Sequence, residues 1–160
     1  MKKQDSSNVQ ASIDIEVPVA SAYNQWTQFE EFPKFMEGVE SVQQLDETHL
    51  RWRAAIGGKT LEWDAVITEQ VPDQRIAWRS TTGAKNAGVV TFHPISTNSC
   101  RVALQLDYDP EGFIENIGDL LGFVGRRARG DLDRFKEFLE ARGHATGAWR
   151  GEVESRADKR

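Results

Sequence analysis

The fold of this chain is determined mainly by residues 101–143, RVALQLDYDPEGFIENIGDLLGFVGRRARGDLDRFKEFLEARG. Up to Tyr108 its apolar and polar side chains alternate, which is typical of a half-buried strand. Asp109 and Pro110 then open a helical pattern, because Asp caps free backbone amides and Pro fits the first helical position. Gly143 marks the end of the helix. The stretch predicts a strand that leads directly into one long helix.

The predicted helix carries a single apolar stripe. At 1.5 Å per residue it would be roughly 50 Å long, enough to cross a whole domain. Gly118, Gly122 and Gly125 share one flank, although each should cost about 1 kcal/mol relative to Ala. They either permit a close contact or a bend, or leave room for a ligand beside the stripe. The stripe consists of Ile114, Ile117, Leu121, Val124, Ala128, Leu132, Phe135 and Leu139.

Upstream of the helix the chain reads as a series of short strands. Apolar residues recur at every second position from Thr48 to Tyr108, with turn signals such as Gly57-Gly58 and Pro72-Asp73 between them. Connections this short predict antiparallel neighbours, because a parallel crossover needs a dozen or more residues. The pattern predicts an α+β fold in which a curved, seven-stranded antiparallel sheet wraps around the long C-terminal helix. The predicted strands are 11–17, 39–45, 49–56, 59–70, 75–82, 88–94 and 101–108, with short helices at 19–28 and 29–36 after the first strand.

Length and composition predict one globular domain. The 160 residues suit a single domain at 9–143, with a disordered N-terminus at 1–8 and a flexible C-terminal tail at 144–160. A net charge of -5 argues against nucleic-acid binding, which needs a basic surface. Cys100 is the only cysteine, and the chain lacks both a signal-like N-terminus and a membrane-spanning apolar run. We therefore expect a soluble, cytoplasmic protein, either a monomer or a homodimer.

Several kinds of site are not indicated by the sequence. His49, His93 and His144 lie far apart, and none has a second ligand at metal-binding spacing. No nucleophile elbow or phosphate-binding loop is present, so we predict no metal and no cofactor. The hairpin at Gly57-Gly58 can pair Arg51 and Arg53 with Glu62 and Asp64. These charges either lie on the exposed face of the sheet, or turn Arg53 or Asp64 inward as a polarising group.

Aromatic residues are the strongest functional signal. Five Trp and eight Phe come from separate elements, and strand parity can point most of those in strands toward the helix. They either fill the core or line an apolar pocket, the usual form of a small-molecule site. The proline turn Phe29–Met36 either folds under the sheet, or stays exposed as a lid or a transient membrane contact. The predicted cavity residues are Tyr23, Trp26, Phe35, Trp52, Arg53, Trp63, Trp78, Ser80, Phe92, Leu104, Phe113, Ile117 and Leu121.

The chain resembles the START-like (SRPBCC) superfamily, within it the polyketide cyclase/dehydrase branch, and is similar to coenzyme-Q-binding START proteins. The resemblance covers about residues 10 to 142. It implies a helix-grip fold with a hydrophobic cavity, but no pattern of catalytic residues carries over. The segments that carry it are Ile13–Trp26, Phe29–Val42, Ile76–Ser80, Asn86–Phe92, Arg101–Gly112 and Leu132–Lys136.

Three hypotheses follow. The first is a carrier or sensor that binds a lipid, quinone or aromatic polyketide between sheet and helix, with Arg53, Tyr23 or Ser80 orienting a ligand oxygen. The second is a polyketide aromatase/cyclase or dehydratase acting in the same cavity, which requires a cavity-facing acid, base or Arg. The third is a protein-interaction or stress-response module, which predicts a filled core and an exposed apolar patch.

Overall fold

The computed structural model describes residues 7–56, 58–108 and 120–153. Seven antiparallel strands form one sheet in the order β1-β7-β6-β5-β4-β3-β2, so the first and last strands of the chain are neighbours. Helix α1 (Val19–Trp26), a 3-10 helix (Phe29–Lys34) and helix α2 (Leu120–Arg142) complete the fold. The strands are β1 (Ser7–Ile15), β2 (Val39–Gln44), β3 (His49–Ile56), β4 (Lys59–Val71), β5 (Arg75–Gly83), β6 (Asn86–Ser96) and β7 (Ser99–Tyr108).

The sheet curls into a half-barrel, which confirms the predicted helix-grip fold class. Register shifts occur in β2 between Val39 and Ser41, in β4 around Ala65 and Ile67, and in β6 after Pro94. Such irregularities bend a strand and increase its twist. They give the sheet a concave face on which the helices pack.

The core lies between this concave face and α2. Along β7, Cys100, Val102 and Leu104 are buried while Arg101 between them is exposed, as expected for a strand with one solvated face. The stripe of α2 supplies the other half of the core, through Ala128, Leu132, Phe135 and Leu139, all at most 4% exposed. Their spacing of four, three and four residues keeps them on one side of the helix.

Most predicted element ends differ from the observed ones by only a few residues. β1 ends at Ile15 rather than at residue 17. Ile15 pairs with Cys100, and β7 begins only one residue before Cys100, at Ser99, so residues after Ile15 have almost no strand left to pair with. The first half of the predicted long helix, including its capping residue Asp109, lies outside the described residues. No helix in the described part of the chain is both long and apolar enough to cross a membrane.

The chain ends do not simply follow the predicted boundaries. Of the predicted N-terminal lead, residues 1–6 lie outside the described part, and Ser7 and Asn8 already pair with β7. After α2, the segment 144–153, predicted as a tail, runs back over α1 and pairs with β4. Val153 exchanges two backbone hydrogen bonds with Gln70, at 2.7 and 2.9 Å. The domain boundary at 143 remains a prediction.

Candidate functional site

A cavity of about 180 Å³ lies between the concave face of the sheet and α2. The fold brings together all the elements of its wall: α1, the 3-10 helix and the loop after it, the six strands β2 to β7, and α2. Ala54 and Ala128 are the smallest side chains in the wall, and their size leaves space that larger residues would fill. The apolar wall consists of Trp26, Phe29, Phe32, Met36, Val39, Leu50, Trp52, Ala54, Trp63, Ile67, Ile76, Trp78, Leu104, Leu106, Val124, Ala128 and Leu132.

Tryptophans from neighbouring strands form one side of the cavity. Trp52 of β3 and Trp63 of β4 are direct cross-strand partners, and their rings stack with centroids 5.6 Å apart. Trp78 of β5 extends this surface beside Gly88 of β6. A Cβ atom on residue 88 would lie 2.5 Å from Cζ2 of Trp78, so glycine is what lets this indole lie flat against the sheet.

Next to the cavity, four buried aromatic side chains pack against one another in pairs and form an aromatic floor. Phe35 lies 5.1 Å from Phe135 between ring centroids, and Tyr23 lies 5.4 Å from Phe92. All four of these side chains are at most 3% exposed. This aromatic floor holds the chain after the 3-10 helix against α2, and α1 against β6.

The segment Phe29–Met36 is part of this packing. Phe29, Phe32 and Phe35 are all at most 5% exposed, and only Met36 of the large apolar residues is half-buried. Of the two predicted alternatives, the segment therefore folds under the sheet. Phe29, Phe32 and Met36 reach the cavity wall from there.

Two groups of polar residues interrupt the apolar wall. Asn86, Asp107 and Tyr108 lie where β6 and β7 run side by side. Glu37, Arg127 and Asp131 lie where the loop after the 3-10 helix meets α2. Five of these side chains supply the polar and charged chemistry of the cavity, because the Asp107 carboxylate is exposed and accepts a 2.6 Å hydrogen bond from Asn8.

Asp131 is the most deeply placed carboxylate of the wall, with a side chain only 15% exposed. Its Oδ1 atom accepts a 2.9 Å hydrogen bond from the backbone N–H of Glu37 and a second one from Arg134. Burial nevertheless raises the pKa of Asp131 to about 6, because desolvation of the carboxylate outweighs Arg134, the Glu37 amide and Arg127. The side chain can therefore gain or lose a proton close to neutral pH.

Arginines of α2 fasten the loop that forms the edge of the cavity. Arg127 Nη1 donates to the carbonyl oxygen of Glu37 at 2.8 Å, and Arg134 Nε donates to that of Phe35 at 2.9 Å. Gly38 follows with φ of +87°, and a Cβ there would lie 2.2 Å from Arg127 Nη1. The loop needs glycine at this position for both its backbone conformation and the approach of Arg127.

The structure brings five of the predicted cavity residues together in the wall: Trp26, Trp52, Trp63, Trp78 and Leu104. Tyr23, Phe35 and Phe92 lie instead in the aromatic floor. Ser80 is on the same face of β5 as Trp78, but its Oγ accepts the backbone N–H of Asn86 at 3.1 Å. Phe113 and Ile117 lie outside the described residues, and of Leu121 only the backbone, within α2, is described.

Arg53 differs from its prediction as a cavity residue. Its guanidinium lies on the exposed face of the sheet, where it pairs with Glu40 at 2.9 Å and also with Glu62. The reason is strand parity: neighbouring residues point to opposite faces, and Trp52 takes the inner one. Arg51 and Asp64 pair on that outer face too, at 3.0 Å, which agrees with the first of the two predicted arrangements.

Asp131, Asn86 and Asp107 were missed by the sequence reasoning. The available signal for Asp131 was its position beside Ala128 and Leu132, at the margin of the apolar stripe. Asn86 and Asp107 carried no such signal, because a polar residue near a strand end is usually solvated. The polar residues of the cavity wall can therefore be identified only from the three-dimensional structure.

Metal and thiol chemistry find little support at this site. No group of three or more His, Cys, Asp or Glu side chains among the described residues could hold a metal ion. Cys100 is fully buried in β7, and burial raises the pKa of its thiol to about 11. A thiol in this state is a poor nucleophile, since the thiolate is the reactive form.

Comparison with protein families agrees with this architecture. Residues 15–137 match the family described as polyketide cyclase/dehydrase and lipid transport. The chain belongs to this family, which confirms the polyketide cyclase/dehydrase branch that the sequence resembles.

Individual relatives extend over nearly the whole chain. An uncharacterized 17.2 kDa protein from the melC2-rnhH intergenic region of Streptomyces lincolnensis is 52% identical over 148 residues, which cover 92% of this chain and 99% of that protein. The crystal structure of DR_A0006 from Deinococcus radiodurans is 29% identical with a TM-score of 0.67, covering 84% of this chain and 98% of its own. The ZhuI aromatase/cyclase of a Streptomyces species has the same fold at 16% identity, with a TM-score of 0.73 over 90% of this chain and 99% of its own.

Proposed function

We propose that the protein binds a lipophilic small molecule in the cavity between the sheet and α2. The observation that carries this proposal is the apolar cavity whose wall includes Trp26, Trp52, Trp63 and Trp78. Lipids, quinones and aromatic polyketides share the chemistry that such a wall recognises, because their affinity comes mainly from apolar surface removed from water. That surface contributes about 25 cal/mol per Å² buried, less the cost of ordering the ligand.

The size of the cavity limits what it holds. An apolar cavity of about 150 Å³ accepts a benzene-sized molecule, and drug-sized ligands occupy roughly 300–1,000 Å³. The volume of 180 Å³ therefore suits a ligand of one or two rings, or the end of a longer chain. A larger polyketide or quinone would bind with part of its length outside this volume.

The proposal is tested by ligand-dependent stability and by mass spectrometry. A ligand at about 100 times its dissociation constant stabilises the protein by roughly 2.7 kcal/mol, which a thermal-shift screen of quinones, fatty acids and aromatic polyketide mimics detects. Gentle purification followed by native mass spectrometry identifies any molecule that copurifies. The proposal fails if no compound in these classes shifts the melting temperature and the protein has only its own mass.

A second candidate function, an aromatase/cyclase or dehydratase, is supported by Asp131. The family description includes cyclases and dehydrases, and ZhuI is an aromatase/cyclase. In an aldol cyclisation a carboxylate takes a proton from a carbon between two carbonyl groups. That carbon then bonds to the carbon of another carbonyl group farther along the same molecule. The proton then goes to the alkoxide formed there. A cavity carboxyl with a pKa of about 6 is matched to this work near neutral pH.

Catalysis is distinguished from binding by product analysis. A poly-β-ketone mimic that binds should be converted to a cyclised product faster than in buffer, and the Asp131→Asn variant should bind it without converting it. Unchanged mimic after prolonged incubation with the native protein would leave only the binding function.

The sequence also makes predictions about protein interaction, cellular location, oligomeric state and membrane contact. The interaction-module hypothesis predicted a filled core, and the 180 Å³ cavity counts against it. We propose a cytoplasmic location, on the basis of the single buried cysteine. A monomer or homodimer and a transient membrane contact remain predictions.

A further inference from the structure

We propose that the cavity selects a neutral ligand whose polar end donates a hydrogen bond, such as a phenol or an alcohol, and that Asp131 accepts it. The inference rests on the binding function proposed above and specifies its ligand class. It excludes carboxylates and phosphates as the group that is held inside the wall.

Asp131 has hydrogen-bonding capacity that the described part of the protein does not use. Both of its hydrogen bonds, from Glu37 and Arg134, end at Oδ1, and Oδ2 accepts none from the described part of the chain. A carboxylate has roughly four acceptor sites. With a side chain only 15% exposed, Asp131 has little access to solvent for the remaining ones. A donor on a bound ligand would supply what the protein does not.

The charged groups around the cavity disfavour an anionic ligand. Two carboxylates contribute to the wall, those of Glu37 and Asp131, against one cation, Arg127. Arg127 donates to the Glu37 carbonyl at 2.8 Å, and its Nε lies 3.9 Å from the Glu37 carboxylate. An anionic ligand would therefore meet these two carboxylates, while the nearby cations Arg127 and Arg134 are already held by loop carbonyls and, for Arg134, by Asp131 itself.

The protonation behaviour of Asp131 is consistent with this assignment. Its pKa of about 6 means that the present surroundings stabilise the carboxylate poorly. A donor that binds the charged form would lower that pKa. The charged groups that face Asp131 are Arg127 and Arg134 on α2 and Glu37 on the loop.

The test compares three probes that share one ring system and fit a cavity of this size: naphthalene, 2-naphthol and 2-naphthoic acid. We expect 2-naphthol to bind more tightly than naphthalene at pH 7, and 2-naphthoate to bind more weakly than either in calorimetric titrations. Between pH 5 and pH 7 the affinity for 2-naphthol should rise, because the acceptor becomes charged, whereas that for naphthalene should not change.

Variants of α2 assign the effect to Asp131. Asp131→Asn should weaken 2-naphthol binding about tenfold, the loss expected for one hydrogen bond to a charged group, and leave naphthalene binding unchanged. Asp133→Asn removes the same charge from an exposed position two residues away and should change neither. If the Asp131 variant does not fold, the pH dependence of the native protein carries the same test.

The outcomes separate this inference from the binding function. Equal affinities for naphthalene and 2-naphthol, or tighter binding of 2-naphthoate, would overturn the inference while leaving a binding cavity. Absence of binding by all three probes would overturn both. A 2-naphthol preference that survives Asp131→Asn would also overturn the role of Asp131.

Discussion

The indole rings of Trp52 and Trp63 are stacked, with their planes only 9° apart and their centroids separated by 5.6 Å. They occupy directly paired positions on β3 and β4, so the hydrogen-bond register of the sheet fixes the stack. A rigid aromatic surface made this way costs a ligand little reorganisation on binding. It also ties the shape of the cavity to the pairing of two strands.

Trp63→Ala should lower both stability and ligand affinity. Aromatic pairs contribute about 0.5–1.5 kcal/mol beyond their buried area, and Trp63 is only half-buried, so we expect a loss of about 2 kcal/mol. Urea denaturation measures the first effect and titration with 2-naphthol the second. A variant that keeps full affinity would show that the stack is not part of the binding surface.

Gly88→Ala should destabilise the protein through Trp78. The new Cβ would lie 2.5 Å from Cζ2 of that indole and 3.0 Å from the carbonyl oxygen of Gln105. Overpacking of this kind typically costs about 1–3 kcal/mol. A double-mutant cycle with Trp78→Phe is the control, because the smaller ring removes the clash and should recover part of the loss. Strictly additive effects in that cycle would contradict the explanation.

Asp131 should make the protein less stable as pH rises from about 4 to about 6. In this range the folded state holds a proton that an unfolded Asp, with a pKa near 3.8, has already released. The linked free energy is at most about 3 kcal/mol, and the effect is complete above pH 6. Asp131→Asn lacks this term, so its stability advantage over the native protein should grow between pH 4 and pH 7.

Denaturation at four pH values across that range measures the difference, with Asp133→Asn as the control because its carboxylate is exposed. If the native protein instead gains stability relative to Asp131→Asn as pH rises, the carboxylate is stabilised by its neighbours and the pKa assignment is wrong.

Gln25→Leu should loosen the segment 144–153. Gln25 is fully buried, and its amide exchanges two hydrogen bonds with Thr146, at 2.8 and 3.0 Å. Loss of this pairing removes two hydrogen bonds, each of which contributes about 0.5–1.5 kcal/mol. Hydrogen exchange at the amide of Thr146 should become faster while that of β7 amides changes little. Unchanged protection at Thr146 would mean that other contacts hold the segment.

The fold was predictable because two periodicities in the sequence are strong. Alternation placed Val102 and Leu104 on the inner face of β7, and helical spacing placed Leu132 and Phe135 on the inner face of α2. The inward orientation of Trp52 and Trp63 followed from the same parity. Because neighbouring residues of a strand point to opposite faces, Arg53 cannot face inward next to Trp52. The structure places Arg53 with Glu40 and Glu62 on the exposed face of the sheet.

The cavity itself was only partly predictable. Tyr23 and Phe92 carry the same sequence signal as Trp78, yet they pack in the aromatic floor while Trp78 lines open space. The difference depends on sheet curvature and on small residues such as Ala54, which no local pattern encodes. The surroundings of Asp131 combine residues 94 positions apart in the sequence, so its buried state could not be inferred from α2 alone.

The most direct test of the binding cavity fills it. Ala54 is 3% exposed and lines the cavity, whereas Ala55 points to the opposite face of β3, so Ala54→Leu and Ala55→Leu add the same volume on two sides of one strand. We expect calorimetric titration to find one 2-naphthol bound by the native protein and by Ala55→Leu, and none by a folded Ala54→Leu. Undiminished binding by Ala54→Leu, or no binding by the native protein, would contradict it.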